Sequence, residues 1–136
     1  MNNLFVYGTL IFEDESPSHG LNAPKYIENT EMAYVKGRLY AVEGFPFLVL
    51  NGKNKIKGKL FRCEDIEPLL EKYDRIEGAN QVEPFFERKV IEVELEGGAK
   101  EKAYTYIGGG KLRKAFAKPE YELKSGDWMS TFTNRT

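Results

Sequence analysis

Cysteine and histidine are nearly missing from this chain. Its 136 residues include one of each, Cys63 and His19. A single cysteine allows no internal disulfide. A structural metal site needs several Cys or His ligands at short spacing, and these two residues do not supply them. A Ser-His-Asp triad would have to use His19, and no Gly-x-Ser-x-Gly elbow is present. No apolar run approaches the ~20 residues of a membrane helix. The first residues lack the basic stretch and long apolar segment of a secretory signal. Neither sign of charge dominates, with 20 Lys and Arg against 21 Asp and Glu and a formal net charge of −1. A nucleic-acid binder usually carries a basic stripe. The nearest candidate, Lys53-Asn54-Lys55-Ile56-Lys57, reads as solvated lysines at a hairpin turn. These absences leave a protein of a reducing, cytoplasmic setting, with no metal, cofactor, nucleic-acid or membrane partner expected. Oligomeric state is not legible in them.

What is present fits one globular domain spanning residues 1–136. Strand signals dominate. Asn3 to Tyr7 reads as a buried strand and Glu31 to Val42 as a long one, broken by Gly44-Phe45-Pro46. Phe47 to Leu50 and Lys55 to Arg62 read as a hairpin across Asn51-Gly52. Arg88 to Leu95 alternates, with Ile91, Val93 and Leu95 on one face. Gly97-Gly98 turns the chain and Glu101 to Ile107 returns beside it. One helix is clear. Asp65 can cap it, Pro68 suits its first turn, and Ile66, Leu69, Leu70, Tyr73 and Ile76 form one apolar stripe. Gly78 is a plausible stop. Gly108-Gly109-Gly110 reads as a hinge or turn, with no helix of the kind a dinucleotide fingerprint opens. Short antiparallel strands with a helix predict an α+β domain, for which a closed or nearly closed barrel is one arrangement that periodicity alone does not decide.

Two segments can carry chemistry. Gly8-Thr9-Leu10 follows the first strand, and amides in such a turn can converge on a carboxylate or phosphate. Glu77 ends the helix, where the helix dipole disfavours its charge and raises its pKa, a useful property in a general base. Asp74 lies one turn earlier on nearly the same face. The ordinary readings are a strand-ending turn, a solvated glutamate and a turn-bonding aspartate. Aromatics are plentiful, and most suit a core. Tyr40 and Tyr106 could instead turn their hydroxyls into a pocket. Cys63 reads as a small buried residue and His19 as a solvated loop residue.

Six short motifs, in order along nearly the whole chain, resemble the γ-glutamylcyclotransferase-like family. The likeness is to its small branch of γ-glutamylamine cyclotransferases and AIG2-like proteins. Val6-Tyr7-Gly8-Thr9-Leu10 is similar to its opening motif, and Val35-Lys36-Gly37-Arg38-Leu39-Tyr40 to its G-x-L-Y strand. Gly44-Phe45-Pro46 resembles its G-[FY]-P turn, and Gly58-Lys59-Leu60-Phe61 the strand that follows. Tyr73-Asp74-Arg75-Ile76-Glu77-Gly78 resembles its [LY]-D-x-x-E-G motif, and Ser125-Gly126-Asp127-Trp128 its closing S-G-D-W. The resemblance implies a small mixed β-barrel with flanking helices and a pocket between the Tyr7–Leu10 loop and Glu77. It implies Glu77 as catalytic acid/base, and a substrate site drawn from Tyr7, Gly8, Thr9, Leu10, Tyr40 and Phe86.

The implied reaction cyclises a γ-glutamyl group to 5-oxoproline and releases the amine or amino acid it carried. The implied partner is therefore a small γ-glutamyl molecule. One departure stands out. Where the family commonly has Tyr-x-Arg after the glutamate, this chain has Phe86-Glu87-Arg88. The ring is kept and the hydroxyl is lost, which leaves a non-catalytic ligand-binding domain of the same fold as the alternative.

Overall fold

The computed structural model describes residues 2–8, 27–42, 45–77 and 85–128, with the side chains of Lys72, Ile76 and Glu77 outside the description. Five strands close into a barrel: β1 (Asn3–Val6), β2 (Ile27–Val42), β3 (Phe45–Cys63), β4 (Phe86–Leu95) and β5 (Lys100–Gly108). Their order around the barrel is β1-β3-β2-β4-β5. The seam between β1 and β5 is parallel, with Leu4 opposite Tyr104, and the other pairings are antiparallel. The barrel is therefore mixed. Helix α1 (Glu67–Glu77) follows β3, and α2 (Gly110–Phe116) follows β5. A short 3₁₀ turn spans Pro119–Tyr121. The α+β barrel with flanking helices expected from the sequence is the fold observed.

The run Leu4-Phe5-Val6-Tyr7 explains the placing of β1. Alternate residues of a strand point to opposite faces, and here both faces are covered. Phe5 and Tyr7 join the barrel interior with Leu39, Leu48, Ile56, Leu60 and Val93. Leu4 and Val6 face outward onto α1, beside Leu69, Leu70 and Tyr73. A strand buried on both faces reads as a continuous apolar run, and this one does. Thr105, a fully buried polar residue, donates its hydroxyl proton to the Phe5 carbonyl at 2.9 Å.

Helix α1 begins as its sequence suggests. The Asp65 carboxylate accepts the Glu67 amide proton at 3.2 Å, and the Asn2 side chain accepts that of Ile66 at 3.2 Å. Of the apolar stripe, Ile66, Leu69, Leu70 and Tyr73 are buried, with Tyr73 and Leu69 fully covered. No helix among the described residues is long and apolar enough to cross a membrane.

Two local expectations are corrected. Asn51-Gly52 is not a hairpin turn: β3 continues through it and pairs with β2 on both sides. The register slips there, from Gly37 opposite Asn54 to Arg38 opposite Val49, so Leu50 to Lys53 have no opposite number. Two glycines pack closely at this point. A Cβ on Gly37 would crowd the Val49 carbonyl, and one on Gly52 the Arg38 side chain and the Gly37 carbonyl. An Asn-Gly pair that suits a turn also suits a bulge. The hairpin joining β2 and β3 instead pairs Val42 with Phe45.

The triple glycine is not a loose hinge. Gly108 ends β5 against the Phe47 ring, which leaves no room for a Cβ. Gly109 donates its amide proton to the Phe85 carbonyl at 2.6 Å, and Gly110 opens the seven-residue α2. Leu112 of α2 packs on Tyr40, Val42, Phe47 and Val49 in a third apolar cluster.

Candidate active site

Tyr7 and Gly8 of the opening motif follow β1 and lie beside the first residues of β3. Tyr7 is buried, and its hydroxyl bonds to two described backbone groups. It donates to the Tyr106 carbonyl at 2.6 Å and accepts the Leu48 amide proton at 3.1 Å. It thus ties β1 to β5 and to β3 at one point. Gly8 lies directly against Pro46, where a Cβ would collide with the proline ring. This contact joins the first motif to the Phe45-Pro46 part of the third; Gly44 lies outside the described residues. Gly58, from the fourth motif, takes the same kind of close approach, against the Val6 carbonyl and the Phe5 ring. Three motifs far apart in sequence therefore meet through glycines that admit another segment.

Aromatic rings extend from this junction. Tyr40 is buried and stacked on Phe47, with centroids 5.3 Å apart. Phe86, half-buried at the start of β4, meets Phe45 edge-on at 6.3 Å. Of the expected site residues, Tyr7, Gly8, Tyr40 and Phe86 thus lie on connected parts of the barrel. Thr9, Leu10 and the Glu77 side chain lie outside the described residues, as does His19. Glu77 is the last residue of α1.

One turn before Glu77 is a polar cluster that sequence reading does not assemble. Tyr106 donates its hydroxyl proton to Asp74 Oδ1 at 2.7 Å, with the Leu70 carbonyl also near at 3.4 Å. Arg88 donates from Nη1 to Asp74 Oδ2 at 3.0 Å. Arg88 and Tyr106 are directly opposite in the β4–β5 pairing, so neighbouring strands offer two donors to one carboxylate. Burial pushes the Tyr106 hydroxyl pKa up, and Asp74 beside it pushes the same way, with Arg88 opposing. This hydroxyl stays protonated and donates. The Tyr73 ring meets Tyr106 edge-on at 6.3 Å. Tyr106 turns its hydroxyl toward α1, which gives that residue its place. The position of Arg88 in the Phe-x-Arg segment was the sequence signal available for its part.

Other features lie away from this region. A cleft of about 770 Å³ runs along the middle of β4, where β2 pairs with it only at Ala33–Tyr34, and none of the expected site residues that are described lines it. Among the described residues no group of three or more His, Cys, Asp or Glu is arranged to hold a metal ion. Cys63 is buried and not disulfide-bonded. The closing motif packs Trp128 into the barrel core, while the Gly126 carbonyl accepts the Lys57 amide proton at 2.8 Å.

The architecture recurs in solved structures of low sequence identity. YkqA from Bacillus subtilis is 24% identical, with a TM-score of 0.68 over 99% of this chain, which spans 43% of that longer chain. The uncharacterized protein PH0828 from Pyrococcus horikoshii is 23% identical, with a TM-score of 0.59 and coverage of 99% of this chain and 96% of that one. An AIG2-like protein from Mus musculus is 18% identical, with a TM-score of 0.60 and coverage of 96% and 89%. Such identities speak for the fold. Comparison with curated proteins gives no significant match. The model of one sequence family, described as gamma-glutamyl cyclotransferase, AIG2-like, matches residues 4–130, nearly the whole chain, and the protein belongs to that family.

Proposed function

We propose that this protein is a γ-glutamyl cyclotransferase, converting a γ-glutamyl amine or γ-glutamyl amino acid to 5-oxoproline and the free amine. The observation that supports this reading is the link between its two key motifs. Tyr7 of the opening motif bonds to the Tyr106 backbone at 2.6 Å, and the Tyr106 hydroxyl bonds to Asp74 at 2.7 Å, one turn before Glu77. In a chain of this family, that link runs from the residue before Gly8 to the last turn of α1, which ends at Glu77.

The reaction needs little apparatus. The substrate's α-amine attacks its own γ-carbonyl, forming a C–N bond and closing a five-membered ring. The bond from that carbonyl to the leaving amine then breaks. Holding the reacting groups together supplies much of the rate, with effective molarities of ~10⁵–10⁸ M for well-oriented intramolecular reactions. The α-ammonium must lose a proton before attack, and the departing amine must gain one. Glu77 takes the first proton and delivers the second. A free glutamate, with a pKa of ~4.3, is a weak base for this task, and catalytic glutamates are commonly tuned to about 6–7. The C-terminal end of the helix acts in that direction. Backbone amides of Gly8, Thr9 and Leu10 hold the substrate carboxylate or the developing oxyanion. Tyr7, Tyr40 and Phe86 form the walls. A reducing, cytoplasmic setting suits the lone buried Cys63.

Phe86 favours a second reading, a binding domain that keeps the pocket and has lost turnover. A panel of γ-glutamyl amines and γ-glutamyl amino acids, assayed for 5-oxoproline release, separates the two. Release from at least one member is expected and its identity names the leaving group. Silence across the panel, with 5-oxoproline still raising the melting temperature, would favour the binding domain.

A further inference from the structure

The two ends of α1 are held differently. Through Leu69, Leu70 and Tyr73 the helix is fixed by apolar burial against Leu4, Val6 and Phe61. Apolar burial is strong but has no preferred direction. Beyond Tyr73, the described link to the sheet is polar and directional. Both Asp74 oxygens are used, one by the Tyr106 hydroxyl at 2.7 Å and one by Arg88 at 3.0 Å. The donors stand on paired strands at the same level. A carboxylate held by two donors in this way resists rotation of the helix about its axis, because hydrogen bonds weaken steeply as they bend. The base of this fork is itself fixed, since the Tyr106 carbonyl accepts from Tyr7 and the Tyr7 oxygen accepts from Leu48.

Such a cluster is an expensive way merely to hold a helix down. Taking a carboxylate and a tyrosine hydroxyl partly out of water costs desolvation, and apolar residues of similar size would often hold the helix as well or better. What hydrogen bonds add is aim. We infer that Tyr106 and Arg88, acting through Asp74, are positioning residues for Glu77. They set the rotation of the final turn of α1, and so the direction in which its last residue presents a carboxylate. This inference rests on the reading of Glu77 as the acid/base. Glu77 lies about 4.5 Å further along the helix axis than Asp74, so little rotation is lost between the fork and the residue it aims.

The test compares Tyr106→Phe, Asp74→Asn, their double variant and Glu77→Gln, using the γ-glutamyl substrate turned over fastest by the wild type. Tyr106→Phe and Asp74→Asn are each expected to lower kcat by roughly tenfold to a hundredfold, the scale for a misplacement of about 1 Å. KM should stay within about twofold, since ground-state binding is not the interaction removed. The double variant should be no worse than the more severe single one, because both break the same fork. Asp74 is only half-buried, so Asp74→Asn keeps the test informative if Tyr106→Phe folds poorly. Wild-type kcat in Asp74→Asn and Tyr106→Phe, beside an inactive Glu77→Gln, would overturn the inference and leave the cluster a structural one. So would a rise in KM alone. Wild-type turnover in Glu77→Gln would instead remove the reading on which the inference stands.

Discussion

Two arginine-centred clusters sit on the outer wall of this barrel, built from the same chemistry. Arg62 on β3 donates from Nε to Glu31 of β2 at 2.8 Å and forks onto Glu101 of β5 at 2.8 and 3.0 Å, with Asn3 of β1 reaching the same Glu101 at 3.4 Å. Hydrogen bonds to the two carboxylates push the Arg62 pKa up, Glu101 first. Arg88 on β4 meets a single carboxylate, Asp74, and shares it with the Tyr106 hydroxyl. The first cluster links strand to strand, where backbone pairing already sets the geometry. The second links strand to helix, across a junction where no backbone bond among the described residues fixes the angle. The Arg62 cluster therefore reinforces a shape that exists without it, whereas the Asp74 cluster sets an orientation that little else sets. The position of a charge pair relative to the backbone ladder, more than its chemistry, decides what it can do.

The largest change that sharpens this comparison removes the bed beneath the second cluster. Tyr73 is fully buried between α1 and the sheet. Tyr73→Ala should cost about 3–5 kcal/mol, the scale for emptying a large aromatic site, and chemical denaturation should show a lower midpoint with the same slope. An effect below ~1 kcal/mol would mean that the helix is held mainly by the polar fork.

Alkaline titration gives a smaller, signed effect. The Tyr106 pKa is raised in the folded state, first by burial and then by Asp74, whereas an unfolded tyrosine titrates near ~10. The stability contributed by the protonated hydroxyl is therefore whole below pH ~10 and is lost as pH rises above it, by up to ~1.4 kcal/mol per pH unit. Tyr106→Phe lacks this component. Its stability gap to the wild type should narrow above pH ~10, as read from melting temperatures across the range. A gap that stays constant would show that Tyr106 titrates normally.

The smallest effect belongs to the first cluster. Arg62, Glu31 and Glu101 have side chains 26%, 42% and 32% exposed, and solvent-exposed pairs contribute about 0–1 kcal/mol. Arg62→Gln should lower stability by about 1 kcal/mol or less and leave kcat unchanged. A loss of turnover comparable to that of Asp74→Asn would erase the distinction drawn between the clusters.

The same contrast explains what the sequence made legible. The alternation from Arg88 to Leu95 and the apolar stripe of α1 are local periodic signals, and both elements form where the pattern puts them. The Asn51-Gly52 signal is also local, but its outcome depends on Gly37 across the β2–β3 ladder, which a turn rule does not see. Gly108 likewise reads as a break until Phe47 is known to lie against it. At the candidate site, the family resemblance pointed to Tyr7, Gly8, Thr9, Leu10, Tyr40, Glu77 and Phe86; Tyr7, Gly8, Tyr40 and Phe86 lie on connected elements, and Thr9, Leu10 and the Glu77 side chain lie outside the described residues. The fork on Asp74 was out of reach. Its partners lie 14 and 32 residues away, and no spacing along the chain encodes a pairing made only when β4 and β5 dock beneath the helix.

The most direct test of the proposed chemistry is the rate of 5-oxoproline release by Glu77→Gln beside the wild type, at saturating γ-glutamyl substrate. The substitution keeps the size of the side chain and removes its basicity. Turnover should fall by about 10²–10⁴-fold, the contribution typical of a general acid/base, while 5-oxoproline still raises the melting temperature of the variant. Near wild-type turnover in Glu77→Gln would contradict the account.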